Sequence, residues 1–222
     1  MKGFFAALVL LASAGLVPLP TARIAAPSLK QPADRVREPA LAGRIRLTPA
    51  QVRDAVVHGY LPRPVSTILD IHARLRYGEF RWNDLRVPAG PIWMSVDLQR
   101  QLLSVFRGQN EIGTAVILYG ANSYRTPLGT FAVLAKLKNH RSLTYGGAPM
   151  PYTLRLTPDG VSIHGSNVRD GLATHGCIGV PAAFAAKLFD AAAVGDQVII
   201  FDQRYAPMAA PAQLDPREAT RQ

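Results

Sequence analysis

A single cysteine, Cys177, stands among 222 residues, so no disulfide can form within the chain and a packed core must hold the fold together. Acidic side chains are scarce: 15 Asp and Glu face 25 Lys and Arg, a formal net charge of +10. Such a balance favours anionic partners, whether nucleic acid, an acidic membrane or an anionic polymer. Zinc-finger spacing, a Gly-Lys-Ser/Thr phosphate loop and an RNP-like aromatic run are all missing, which excludes the common nucleic-acid modules. Much of the excess charge lies in the N-terminal third, at Lys30, Arg35, Arg37, Arg44, Arg46, Arg53 and Arg63. A solvated basic linker and a polymer-binding segment both fit it. Strands do not alternate with helices, which argues against a dinucleotide-binding fold, and no internal repeat occurs.

Nearly half the residues are apolar, so a folded domain is expected, while 18 Pro and 18 Gly mark many turns and some extended chain. Residues 1–26 read as a secretory signal peptide: Lys2, an apolar run from Gly3 to Val17, then Pro18 and Pro20. The run is short for a membrane span, and Ala22 and Ala25–Ala26 are candidate cleavage points. Neither is a clean small-x-small site, so an uncleaved anchor is the alternative. Residues 27–47, rich in Pro, Ala and Arg, read as a linker.

From Thr48 the pattern changes. Thr48 caps a helix over Ala50–His58, with Pro49 in its first turn and Gly59 as its stop. A second helix is predicted over Val65–Leu75 and a loop over Tyr77–Gly90, making residues 48–90 a small helical appendage. Period-two segments follow at Ile92–Leu98, Leu102–Phe106, Thr114–Tyr119, Gly129–Lys136, Tyr152–Leu156 and Val161–His164. Asp159-Gly160 forms a tight turn between the last two. Pro181–Ala193 reads as a helix ended by Gly195, Gln197–Phe201 as a final strand, and residues 203–222 as a loose tail. The expected fold is mostly β, a curled sheet or sandwich with one late helix, over residues 91–202.

Chemistry concentrates in IHGSNVRDGLATHGCIG, from Ile163 to Gly179. A thiol reacts as its thiolate, and a nearby imidazole can take the proton to give a thiolate–imidazolium pair at neutral pH. His164, at a strand end, is the preferred base, with His175 as the alternative. Gly176 lets backbone amides approach a reacting carbonyl, so that the Gly176 and Cys177 N–H groups can face a developing oxyanion. A zinc site using His164, His175 and Cys177 lacks an evident fourth ligand. His58, His72 and His140 have no motif around them. Asp170 reads as a turn former, although it could orient an imidazole.

The pattern His164-Gly165, a loop, then Thr174-His175-Gly176-Cys177-Ile178 resembles the signature of the YkuD-type L,D-transpeptidases. TAVILYG followed by TPLGTFAVLAK resembles the segment leading to that family's site, where Thr-Pro-x-Gly-x-Phe is typical, and the end, a helix and GDQVIIF, also fits. The resemblance implies a YkuD-like β-sandwich and an enzyme of peptidoglycan stem peptides. Cys177 would release terminal D-Ala from a tetrapeptide, hold the stem as a thioester, and pass it to an amine of a neighbouring stem in a 3→3 cross-link. Carried over by position, Cys177 is nucleophile and His164 general base and acid. Gly165 orients the imidazole through its carbonyl, and the His175-Gly176-Cys177 backbone forms the oxyanion hole. No cofactor or metal is implied, nor a nucleic-acid partner. The protein is expected to be exported to the periplasm or cell envelope, and to be a monomer.

The chain departs from the family pattern twice. Many members have Arg or Asn shortly after Cys, as in Cys-Ile-Arg, where this chain has Gly179-Val180. Thr174, Arg169 and Arg125 are therefore the candidate substrate-binding residues. The loop is also short, with 13 positions from His164 to Cys177. The alternatives are an L,D-carboxypeptidase or cross-link-trimming amidase using the same thiol, and a noncatalytic wall-binding protein.

Overall fold

The computed structural model describes residues 43–203 except 122, 123 and 145. The signal peptide, most of the linker and nearly all of the tail lie outside the described residues. Strand β1 covers Arg44–Arg46, helix α1 Pro49–Val57, β2 Thr67–Leu69, β3 Phe80–Trp82, β4 Ile92–Asp97, β5 Leu102–Arg107 and β6 Asn110–Val116. After these come β7 at Gly129–Ala132, β8 at Ala135–Arg141, β9 at Pro149–Arg155, β10 at Ser162–Ser166, β11 at Ile178–Pro181, α2 at Ala182–Ala191 and β12 at Gln197–Phe201. The strands form two sheets. The larger runs β1-β2-β6-β5-β4-β12-β7, with β3 also paired to β6; the smaller runs β11-β10-β9-β8. The architecture is the mostly-β one expected, with α1 and α2 as the helices among the described residues.

Why these residues form these elements is visible in their burial. On β10 and β11, Ile163, Ile178 and Val180 are buried and enter the main core. Helix α2 meets them with a stripe of Phe184, Ala185 and Leu188, spaced for one helical face. Strand β4 is buried on both faces. Met94 and Val96 join the main core, while Trp93 stacks on Phe106 with centroids 4.2 Å apart in a second cluster with Val65. That second face receives Leu47 and Leu61 from the N-terminal segment.

Helix α1 starts as its sequence predicts. The Thr48 hydroxyl accepts from Gln51 N–H at 3.3 Å, and Gln51 Oε1 accepts from Thr48 N–H at 2.9 Å, a reciprocal capping box.

Other expectations need correction. The predicted helix over Val65–Leu75 is absent; its start is β2. Val65, Thr67 and Leu69 are buried in alternation, a strand period. Ser66 N–H donates to the Gln109 carbonyl at 2.7 Å, and Thr67 pairs in parallel with Asn110. The expected loop over Tyr77–Gly90 contains β3, and the last residues of the expected linker form β1, paired antiparallel to β2. The segment 43–90 thus contributes three strands to the larger sheet. The single strand expected over Gly129–Lys136 is two. Val133 N–H donates to the Asp196 carbonyl beside β12 at 2.9 Å, whereas Leu134 N–H donates to the Arg155 carbonyl on β9 at 2.7 Å. Adjacent amides serve different sheets, so the chain crosses between them there. Strand β11 was not expected.

Phe184 joins helix to sheet: it is fully buried and sits edge-on to Phe80 and Trp82, with centroids 5.6 Å away in each case. Phe184→Ala is expected to destabilise the fold by about 3–5 kcal/mol through the cavity it leaves. Urea unfolding followed by Trp fluorescence measures this, and a loss below about 1 kcal/mol would show that the helix repacks without it.

Candidate active site

Cys177 directly precedes β11, and His164 lies within β10. The two strands are parallel, with Ile163 opposite Ile178 and His164 opposite Gly179. One step back along this register sets Cys177 beside Ser162. Side chains alternate along a strand, so Ile163, Ile178 and Val180 face the core while Cys177 and His164 share the opposite face. The register thus brings together the two residues that the sequence picks out for chemistry.

His164 is buried, and its Nδ1 lies 3.0 Å from the Gly165 carbonyl and 3.2 Å from Ser166 Oγ. A carbonyl only accepts, so Nδ1 carries the proton and the neutral ring presents Nε2 as its base. Ser166 was not foreseen. Its side chain fits because position 179 has none: a Cβ on Gly179 would lie 2.8 Å from Ser166 Oγ and 2.9 Å from Ser166 Cβ.

The thiol of Cys177 is turned toward the Gly160 carbonyl, 3.8 Å from Sγ, in the turn before β10. Burial pushes the thiol's pKa up; the Ser162 N–H opposes this, and the Asp159 carboxylate reinforces it. Burial pushes the His164 imidazole down; its bond to the Gly165 carbonyl opposes this, and the charge of His140 adds to it. Both shifts favour uncharged forms. Both directions run against charge on either member of the thiolate–imidazolium pair that the sequence suggests. The physical reason is desolvation, invisible in residue spacing.

A seam of backbone contacts holds the Cys177 loop. Leu118 and Gly179 exchange two backbone hydrogen bonds, of 2.8 and 2.9 Å, and Thr174 N–H donates to the Tyr119 carbonyl at 3.0 Å. Gly120 lies against Gly176 so closely that a Cβ there would overlap the Tyr124 carbonyl and sit 2.7 Å from Gly176 N and Cα. Thr126 Oγ1 accepts from Gly120 N–H at 2.9 Å and donates to the Gly176 carbonyl at 3.0 Å. Gly176 has φ +99°, a left-handed conformation that suits glycine. The sequence shows Thr126 only as the first residue of TPLGTF; nothing in it reveals the contact to Gly176, 50 residues away.

The candidate substrate-binding residues fare differently. Thr174 Oγ1 donates to the Cys177 carbonyl at 2.5 Å, within the loop itself. Arg169 Nε donates to Asn167 Oδ1 at 2.9 Å on the surface. Arg125 is exposed and lines a cleft of about 720 Å³ with Tyr77, Gln101, Leu118, Asp170 and Leu172. This cleft borders the seam at Gly120 and Thr126, and neither Cys177 nor His164 forms its wall. Asp170 Oδ1 accepts from Gly171 N–H at 2.9 Å, a turn former as the sequence reading held. His175 is exposed and meets Tyr124 edge-on, centroids 4.8 Å apart. Among the described residues, no group of three His, Cys, Asp or Glu side chains is arranged to hold a metal ion.

Residues 91–200 match the family model YkuD, the L,D-transpeptidase catalytic domain. No curated protein matches the chain. Among solved structures, the chain is similar to an L,D-transpeptidase from Stackebrandtia nassauensis, at 24% identity and a TM-score of 0.47, covering 51% of this chain and 57% of that one. It is also similar to one from Mycobacterium smegmatis (24%, 0.45, 50% and 58%) and one from Mycobacterium tuberculosis (21%, 0.45, 50% and 57%). The chain spans less than two thirds of the length of each of these.

The upward push on the Cys177 thiol has a measurable signature. The rate of Cys177 alkylation by iodoacetamide is expected to rise with pH to a midpoint above that of an ordinary thiol, about 8.5. A midpoint at or below neutrality would instead establish a preformed thiolate–imidazolium pair.

Proposed function

We propose, from the match of residues 91–200 to the YkuD L,D-transpeptidase catalytic domain, that the protein is an exported cysteine acyltransferase that makes 3→3 cross-links between peptidoglycan stems. The observation that carries this reading is the shared face of Cys177 and His164 on the parallel β10–β11 pair, with Nδ1 of His164 held by Gly165.

The steps follow from the groups present. The Cys177 thiol attacks the carbonyl of the third residue of a stem tetrapeptide, often meso-diaminopimelate, and its proton passes to His164 Nε2. The developing oxyanion faces the backbone amides of the His175-Gly176-Cys177 turn. Collapse breaks the amide bond, and His164 returns the proton to the departing D-Ala amine, leaving a thioester on Cys177. An amine of a second stem then attacks the thioester, His164 takes its proton, and the thiol leaves with that proton restored. Proton transfer of this kind contributes about 10²–10⁴-fold to rate. Arg125, exposed on its cleft, is the cation we assign to a substrate carboxylate. Export rests on the N-terminal apolar run of the sequence.

The test is mass spectrometry of products after the full chain meets disaccharide-tetrapeptides. Dimers lacking one D-Ala are expected, with none from Cys177→Ala and a loss of about 10²-fold or more from His164→Ala. Tripeptide monomers alone would mean that water is the acceptor and that the enzyme trims stems. Unchanged turnover in Cys177→Ala would remove the nucleophile assignment.

A further inference from the structure

We propose that Thr126 is a positioning residue whose buried hydroxyl sets the plane of the Gly176–Cys177 peptide, and so aims the Cys177 amide at the oxyanion of acyl transfer. This rests on the acyl-transfer reading of Cys177 given above.

Thr126 is only 5% exposed. Its hydroxyl has two fixed partners of opposite kind. The Gly120 N–H can only donate and the Gly176 carbonyl can only accept, at 2.9 and 3.0 Å, so the single hydroxyl proton must point at Gly176. In a trans peptide the carbonyl of one residue and the N–H of the next lie in one plane and point opposite ways. Holding the Gly176 carbonyl on the Thr126 side therefore directs the Cys177 N–H away from Thr126.

A pin is needed at this peptide. At φ +99° and without a Cβ, Gly176 offers little steric resistance to reorienting its carbonyl. The next peptide has its own pin, since Thr174 Oγ1 donates to the Cys177 carbonyl at 2.5 Å. The two threonines thus clamp the planes on both sides of Cys177, one from inside the loop and one from the segment entering β7. The close approach of Gly120 to Gly176 brings Thr126 within reach. A merely structural role would satisfy the same polar atoms, so the test must separate aiming from folding.

The experiment compares two reactions of Cys177 in the full chain. Alkylation by iodoacetamide forms no oxyanion and reads thiol access and ionisation. Acylation by p-nitrophenyl acetate passes through a tetrahedral oxyanion and reads the aim of the amides. Thr126→Val is expected to slow acylation about 10²-fold, the order seen when one oxyanion donor is lost, with alkylation within about twofold of wild type. Thr126→Ser, which keeps the hydroxyl, is expected to restore most of the acylation rate. Equal acylation in wild type and Thr126→Val would overturn the proposal, as would a parallel fall in both reactions. If Thr126→Val loses its thermal transition, Thr126→Ala is judged by the same ratio. Wild-type protein that alkylates but never acylates would sink the acyl-transfer reading itself, and this inference with it.

Discussion

Two backbone hydrogen bonds between Leu118 and Gly179 hold this molecule's chemistry in register. They join the end of the β6 path to β11, and so tie the larger sheet to the smaller one beside the reactive cysteine. Everything near the site depends on that junction. It brings Gly120 against Gly176 and lets Thr126 reach the loop. Through β11 it sets the parallel register that places His164 and Cys177 on one face. The apolar alternation of Ile163, Ile178 and Val180 locks the register from the core side, because a slip of one residue would turn the reactive pair inward.

Burial then biases both groups toward their uncharged forms. An ion pair at the surface would be favoured by attraction and tolerated by water. Here desolvation acts against charge on both members and outweighs the hydrogen bonds from Gly165 and Ser162. A thiol is less exposed to adventitious oxidation than a thiolate, so the same bias protects the sulfur.

Much of this was legible in the residues, and the parts that were not share a cause. The His164-Gly165 and Thr174-His175-Gly176-Cys177 motifs are local, and so are the capping box at Thr48 and the stripe of α2. Local signals survive in a sequence. The strands β2 and β3 were misread because each is three residues long and takes its conformation from a distant partner on β6. The division between β7 and β8 was hidden for the same reason: Val133 and Leu134 look alike in sequence, yet one is buried and the other exposed, and different sheets accept their amides. Thr126 and Ser166 escaped notice because a hydroxyl's role depends on what it faces. The contact of Thr174 with the Cys177 carbonyl escaped notice for the same reason.

Gly179 couples two positions of the site. It has no side chain, and the volume that one would fill is held by Ser166, which touches His164. The two positions are therefore not independent letters. The single step Gly179→Arg would displace the serine and disturb the imidazole. A side chain at 179 is thus felt at the imidazole through the serine, although neither residue is adjacent to His164 in sequence.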